Sequence, residues 1–129
     1  MNKIAGSLAA GLMASLILVA VSFAAPKAQT FNGEIMDSQC AQNGSHEMML
    51  KKEGMGDKNP NDPMAKKMCT ENCVKMGGKY VLFDGAHKKV YQLDDQTKPA
   101  QFAGAPVKVK GTLDKSTQTI HVSDIQSGS

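Results

Sequence analysis

Alternation of apolar and polar residues is the clearest pattern in this chain, and it predicts five short strands. Within residues 106–114 the apolar Val107, Val109 and Leu113 and the small Gly111 fall on one side. Gly33 and Gly111 lie inside two of the strands, where glycine is typical of a bulge or a tight bend. The pattern therefore predicts a mainly β domain. The predicted strands are residues 30–37, 79–84, 88–94, 106–114 and 119–125.

A segment without strand pattern, residues 38–78, lies between the first two strands. It contains two predicted helices, 45–53 and 63–76, joined by a turn-rich connector. Asp62 followed by Pro63 supports the second helix, because an N-cap carboxylate and a proline at the first helical position favour initiation. The segment is therefore predicted to be a helical insertion.

One face of the helix over 63–76 is apolar. Ala65, Cys69, Cys73 and Met76 fall at i, i+4, i+8 and i+11, which is the spacing of a single helix face. Both cysteines of this helix are therefore expected on its apolar side.

The order of elements predicts a five-stranded OB-like barrel, with the helical insertion between strands 1 and 2. A short helix within residues 95–104, between strands 3 and 4, fits the same class. The domain is expected to span residues 30–126, followed by a tail at 127–129. The alternative is an open five-stranded sheet packed on the helix over 63–76.

The N-terminus has the pattern of a cleavable secretory signal peptide, residues 1–24. Lys3 precedes an apolar run from Ile4 to Phe23, and Ser22 and Ala24 are the small residues expected before a cleavage site. The alternative is a retained membrane anchor, because the run is long enough to span a bilayer. Cleavage after Ala24 predicts a periplasmic or secreted protein without a membrane anchor, beginning with a flexible lead-in at 25–29.

Charge limits the classes of partner. The chain has a net charge of +3 at pH 7, and all 15 of its basic residues are lysine. This charge is too mild to predict a nucleic-acid partner, and the absence of arginine argues against bidentate phosphate recognition. The sequence names no other partner, and a monomer is expected.

Four segments resemble a family of small exported bacterial proteins to which no activity is assigned. The resemblance covers most of residues 32–125, and its most specific element is a cysteine, then a C-x-x-x-C pair, then G-x-K-Y-V. It implies export and an OB-like barrel, and it implies no reaction. This chain differs in having a longer insertion, residues 45–64, and many methionines. The segments are GEIMDSQC, CTENCVKMGGKYVLFDG, KVYQLDDQTKPAQFAG and VKVKGTLDKSTQTIHV.

The three cysteines are the candidate functional residues. Cys69 and Cys73 are one helical turn apart, with Cβ atoms about 6 Å apart, whereas a disulfide needs about 4 Å. Cys40 is therefore the better partner for Cys69 or Cys73. Either bond would close a loop of about 30 residues and stabilise the fold by roughly 3–4 kcal/mol. In an oxidising compartment this disulfide is the default expectation.

A soft-metal site is the alternative. Three thiolates and an imidazole, from Cys40, Cys69, Cys73 and His46, would make a closed tetrahedral zinc set. Six methionines within residues 48–76 add thioethers, with Met68 as a further candidate ligand, and this combination favours Cu(I). Core packing explains Met64, Met68 and Met76 equally well.

A thiol-redox role is a third reading, although C-x-x-x-C is not the C-x-x-C of thioredoxin-like enzymes. His87 and His121 are expected on the surface, and no catalytic constellation is recognisable. The sequence therefore predicts a non-enzymatic binding module of unknown ligand. No cofactor is predicted, apart from Zn or Cu under the metal reading.

Overall fold

The computed structural model describes residues 24–129, so the predicted leader lies outside the described residues except for Ala24. Among these residues, no helix is both long enough and apolar enough to cross a bilayer. The elements are β1 (Gln29–Asp37), α1 (Ser38–Asn43), α2 (Glu47–Lys52), α3 (Pro63–Lys75), β2 (Tyr80–Asp84), β3 (Lys89–Leu93), a 3-10 helix (Lys98–Phe102), β4 (Pro106–Asp114) and β5 (Thr119–Ser127).

The five strands form one mixed sheet whose hydrogen-bonded pairs close into a ring. The order is β1-β2-β3-β5-β4, and β4 pairs back to β1. All pairs are antiparallel except β3 with β5, which meet in parallel at Gln92–Thr119 and Leu93–Ile120. The prediction of a mainly β domain with a helical insertion between strands 1 and 2 is confirmed. The alternative of an open sheet is wrong, because the ring joins both edges.

A β-bulge lies at one of the two glycines that sequence analysis singled out. The pairing of β4 with β5 shifts register between Lys110 and Gly111. A Cβ atom on Gly111 would collide with the carbonyl oxygen of His121, so the close approach of the two strands requires glycine here. β1 keeps regular pairing through Gly33, opposite Val107. The expected bulge is thus found at Gly111.

Two apolar clusters lie on the two sides of β1 and β2. Ile35 and Leu82 face the interior of the strand ring, with the apolar residues of β4 and β5. Their neighbours Met36 and Val81 face outward and pack beneath the helical insertion. Successive side chains of a strand point to opposite faces, so both faces of these strands are buried. The insertion therefore covers the outer face of β1 and β2, with its cysteines in the second cluster.

The helix predicted over 63–76 is confirmed as α3. The Asp62 carboxylate accepts a 2.9 Å hydrogen bond from the N–H of Ala65, as an N-cap should. The helix predicted over 45–53 corresponds to α2, which is shorter. Sequence analysis missed α1, which has six residues and no apolar periodicity that could identify it.

The predicted apolar face of α3 is confirmed for Ala65, Cys69 and Cys73, and it is wrong for Met76. Met76 lies just beyond the end of α3 and is exposed, so it does not continue the apolar face of Ala65, Cys69 and Cys73. Met64 and Met68 are also exposed, so the core-packing interpretation does not hold for them, whereas Met49 is buried in the cluster of the cysteines. Met64 and Met68 each directly precede a buried residue of α3. Because successive residues of a helix are rotated by about 100°, these two methionines lie off its buried face.

Candidate metal centre

The three cysteines converge beneath the insertion. Cys40 lies on α1, while Cys69 and Cys73 lie on α3, and all three are at most 1% exposed. Each is a free thiol. The Sγ atoms of Cys40 and Cys69 are 3.7 Å apart, which is a hydrogen-bonding distance for sulfur. The convergence expected from the sequence is therefore present, without a covalent bond.

His46 completes a first group of three ligand atoms. A ring nitrogen of His46 and the Sγ atoms of Cys40 and Cys69 all lie within 4.8 Å of one another. We call Cys40, His46 and Cys69 the first triad. All three side chains are buried, and they come from three different segments of the insertion. Nitrogen and sulfur at this spacing are the donor set of a zinc site.

Cys73 belongs to a second group, which sequence analysis missed in part. A carboxylate oxygen of Asp37 and the Sγ atoms of Cys40 and Cys73 also lie within 4.8 Å of one another. We call Asp37, Cys40 and Cys73 the second triad. The predicted quartet of Cys40, Cys69, Cys73 and His46 is therefore split between two triads that share Cys40. The sequence feature that could have identified Asp37 as a candidate ligand is its position three residues before Cys40.

The orientation of His46 is set by Glu34, a second residue that sequence analysis missed. Nε2 of His46 donates a 2.8 Å hydrogen bond to Oε1 of Glu34, and the other carboxylate oxygen accepts a 2.7 Å hydrogen bond from Lys66. Nδ1 of His46 is buried and has no hydrogen-bond partner. Because Nε2 is occupied, Nδ1 is the nitrogen free to serve the first triad.

The contacts around His46 shift the pKa values of Glu34, His46 and Cys69. Burial alone would raise the pKa of Glu34, but His46 and Lys66 lower it. Burial alone would lower the pKa of His46, but Cys69 and Glu34 raise it to about 9. The Cys40 thiol, and then His46, lower the pKa of Cys69. The contacts of His46 with Glu34 and Cys69 therefore favour the protonated imidazole, and the contact with His46 favours the thiolate of Cys69.

Cys40 and Cys73 hold their protons more tightly. The hydrogen bond to Cys69, and then burial, raise the pKa of Cys40. Burial, and then the charge of Asp37, raise the pKa of Cys73 to about 12. A bound cation would reverse this balance, because metal coordination requires thiolates and stabilises them. Cys69 is thus the thiol most readily available as an anion.

A cleft of about 220 Å³ opens beside His46 and reaches the Glu34–Lys66 pair. Phe83 and Pro60 form part of its wall, and no cysteine lines it. The thiols are therefore shielded from solvent, while the imidazole borders a space wide enough for hydrated ions.

The remaining candidates lie away from the cysteines. Met68 belongs to neither triad, and its side chain is 39% exposed. His87 and His121 are exposed, as expected, but each has an acidic neighbour: His87 contacts Asp84 at 2.7 Å and His121 contacts Asp94 at 3.0 Å. These pairs stabilise turns and strand ends. The buried hydroxyl of Thr70 also lacks a hydrogen-bond partner, and nothing in the structure explains it.

No protein-family model, curated protein or solved structure matches this chain.

Proposed function

We propose that this protein is an exported, non-enzymatic metal-binding domain, whose helical insertion holds a zinc ion on Cys40, His46 and Cys69. The leader pattern supports export, and the convergence of two thiols and an imidazole supports the metal. The disulfide-tethered module and the thiol-redox protein become alternatives to this proposal.

One distance supports it most directly. In a tetrahedral site with Zn–S bonds of about 2.3 Å, two sulfur ligands lie about 3.8 Å apart. The Sγ atoms of Cys40 and Cys69 are 3.7 Å apart. The two thiols therefore already have the spacing that a shared zinc ion requires, without movement of α1 or α3.

The surroundings of His46 add a second argument. Metal-binding histidines usually donate their other ring N–H to a carboxylate, which holds the ring in position and raises its basicity. Glu34 accepts such a bond from Nε2 of His46, while Nδ1 is buried and unpartnered. An unpartnered buried nitrogen is costly, and a metal ion at Nδ1 would remove that cost.

The donor set favours zinc over Cu(I). Thioether ligands were the sequence argument for Cu(I). Four of the six methionines, Met48, Met64, Met68 and Met76, are exposed, whereas Met49 and Met55 pack in the cluster that contains the cysteines. Imidazole and thiolate together suit Zn²⁺, which accepts mixed nitrogen and sulfur ligands.

We also propose that the strand ring is an OB-like barrel. Its support is the closed order β1-β2-β3-β5-β4 and the 3-10 helix between β3 and β4. On this reading the site belongs to the insertion after the first strand, outside the barrel. We expect the protein to be a monomer without a nucleic-acid partner. In this proposal the ligand of the binding module is the zinc ion.

Zinc titration tests the proposal. The protein, purified from an expressing bacterium, is reduced and stripped of metal with a chelator. Binding is then followed by competition with a chromophoric chelator and by native mass spectrometry. We expect tight Zn²⁺ uptake by the native protein and at least a hundredfold weaker binding by Cys69→Ser and by His46→Gln.

His87→Gln is the matched control, because His87 is an exposed histidine paired with a carboxylate. It should bind zinc as the native protein does. If the reduced native protein takes up no zinc, or if Cys69→Ser binds as tightly as the native protein, the proposal is wrong.

The disulfide is the second candidate, and the same 3.7 Å distance supports it. A bond of about 2.05 Å between Cys40 and Cys69 requires the sulfurs to approach further, with Cys73 left unpaired. A thiol-redox role has the lowered pKa of Cys69 in its favour. However, reactive thiols are usually partly exposed, and Cys69 is buried.

A further inference from the structure

Asp37 is a fully buried carboxylate with one satisfied oxygen and one unsatisfied oxygen. Its Oδ2 caps α1 by accepting hydrogen bonds from the N–H groups of Gln39, at 2.8 Å, and Cys40, at 3.2 Å. Its Oδ1 is buried and has no hydrogen-bond partner. Capping explains the presence of the carboxylate, but one oxygen would suffice for it. The free oxygen therefore needs a separate explanation, because an unpartnered buried acceptor is costly.

The carboxylate of Asp37 belongs to a group of potential metal ligands. Asp37, Cys40 and Cys73 offer one oxygen and two sulfur atoms within 4.8 Å of one another. All three residues are at most 1% exposed. A cation bound here through Oδ1 of Asp37 would give that unpartnered oxygen a ligand. It would also accommodate Cys73, which the first triad leaves unused. Carboxylate oxygen and thiolate are both established ligands of Zn²⁺.

We propose that the site binds a second divalent cation, on Asp37, Cys40 and Cys73, with the thiolate of Cys40 shared between the two ions. This inference rests on the proposed zinc site of the first triad and extends it to a two-ion cluster. Two ions that share one sulfur at about 2.3 Å each lie less than about 4.6 Å apart. The two triads have only Cys40 in common, so each ion keeps two ligands of its own.

The charge balance favours two ions. Asp37, Cys40, Cys69 and Cys73 supply four negative charges when all are ionised, and His46 coordinates as a neutral imidazole. Two divalent cations neutralise them. A single ion on the first triad is balanced by Cys40 and Cys69 alone, and it leaves the carboxylate of Asp37 with the two N–H groups of α1 as its partners and no cation. A buried charge without an opposite charge beside it is unfavourable.

The test is the stoichiometry of zinc binding in the reduced, metal-stripped protein. Native mass spectrometry in the presence of a weak competing chelator should find two zinc ions in the native protein. Asp37→Asn keeps a side chain that can cap α1 and removes the negative charge. We expect this variant, and Cys73→Ser, to bind one ion, with the affinity for that ion changed by less than about threefold.

Asp62→Asn is the matched control, since Asp62 is the exposed N-cap of α3 and accepts from the N–H of Ala65. It should bind two ions. Cadmium substitution supplies a second readout: NMR of the bound metal should give two resonances in the native protein and one in Asp37→Asn. Thermal melts of the metal-free variants identify any variant that fails to fold.

The outcomes separate the two proposals. One ion in the native protein, or two ions in Asp37→Asn, would overturn the second site and leave the first triad intact. No ion in the native protein would overturn both.

Discussion

The half-buried Glu34 and the buried His46 form a carboxylate–imidazole pair, with 2.8 Å between Oε1 of Glu34 and Nε2 of His46. The pair joins β1 to the start of α2, across 12 residues of sequence. Lys66 of α3 contacts the same carboxylate at 2.7 Å. Glu34 thus connects the strand ring to two helices of the insertion, and it holds the only candidate nitrogen ligand of either triad.

Replacing Glu34 by Gln should weaken zinc binding without unfolding the protein. Glutamine can still accept from Nε2 of His46, but it removes the negative charge that orients the imidazole and raises its basicity. We expect the zinc dissociation constant to rise about tenfold, the lower end of the range for residues that support a metal ligand. Chelator competition measures this. Glu47→Gln, at an exposed carboxylate on α2, is the control and should leave affinity unchanged; equal affinities for both variants would contradict the role of Glu34.

Oxidation of the metal-free protein should join Cys40 to Cys69. Their sulfur atoms are 3.7 Å apart, and Cys69 is the thiol with the lowered pKa, so its thiolate is the available nucleophile. After treatment with diamide, peptide mapping should find this bond, with Cys73 alkylated as the free thiol. Bound zinc should slow the reaction, because it occupies both sulfurs. A bond between Cys40 and Cys73 would contradict the prediction.

Replacing Gly104 by Ala should destabilise the fold and weaken zinc binding. Gly104 has φ +72°, and a Cβ atom there would lie 2.5 Å from the backbone carbon of Lys66, on α3. The alanine side chain therefore introduces backbone strain of about 1–2 kcal/mol. It also displaces α3, the helix that carries Cys69. Denaturant unfolding and zinc competition measure the two effects.

Gly54→Ala is the matched control for this prediction. Gly54 has φ +74° but no atom within 4 Å of the added Cβ, so it isolates the backbone strain. We expect a smaller loss of stability than in Gly104→Ala. If both variants lose the same free energy of unfolding, the contact of the Cβ atom added at Gly104 with α3 does not contribute to the destabilisation.

Replacing Asp94 by Ala should weaken the junction of β3 and β5. The Asp94 carboxylate accepts hydrogen bonds from the N–H of Val122 at 2.8 Å and from Nδ1 of His121 at 3.0 Å. The site is partly exposed, so we expect a loss of about 1 kcal/mol at neutral pH. Denaturant unfolding measures it. Asp124→Ala, at an exposed carboxylate of β5, should cost less.

The same contacts give the effect of Asp94 a pH dependence. The hydrogen bond from Val122, and then His121, lower the pKa of Asp94 below its ordinary value of 3.8. A lowered pKa contributes stability that is present above the ordinary value and is lost as pH falls through the folded value. The stability difference between the native protein and Asp94→Ala should therefore shrink in acid. A difference that is constant from neutral pH to strongly acidic pH would contradict this assignment.

Much of the fold follows from local pattern. Alternation identified five strands to within two residues at each end, and the Asp62–Pro63 pair identified the start of α3. These features depend on neighbouring residues, which is why they can be read from the chain. α1 was missed because six residues stabilised by a single cap leave no periodic pattern. Met76 was placed on the apolar face of α3 because residue spacing does not reveal that the helix ends at Lys75.

The sequence by itself determined the element order, the shared helix face of Cys69 and Cys73, and the candidacy of Cys40 and His46. Only the tertiary structure divided these ligands into two triads and added Asp37 and Glu34. The reason is physical: a site assembled from a strand end and several helices depends on packing distances between segments, and sequence spacing constrains those distances weakly. The covering of β1 and β2 by the insertion brought a capping carboxylate, Asp37, to the cysteines and a strand carboxylate, Glu34, to His46.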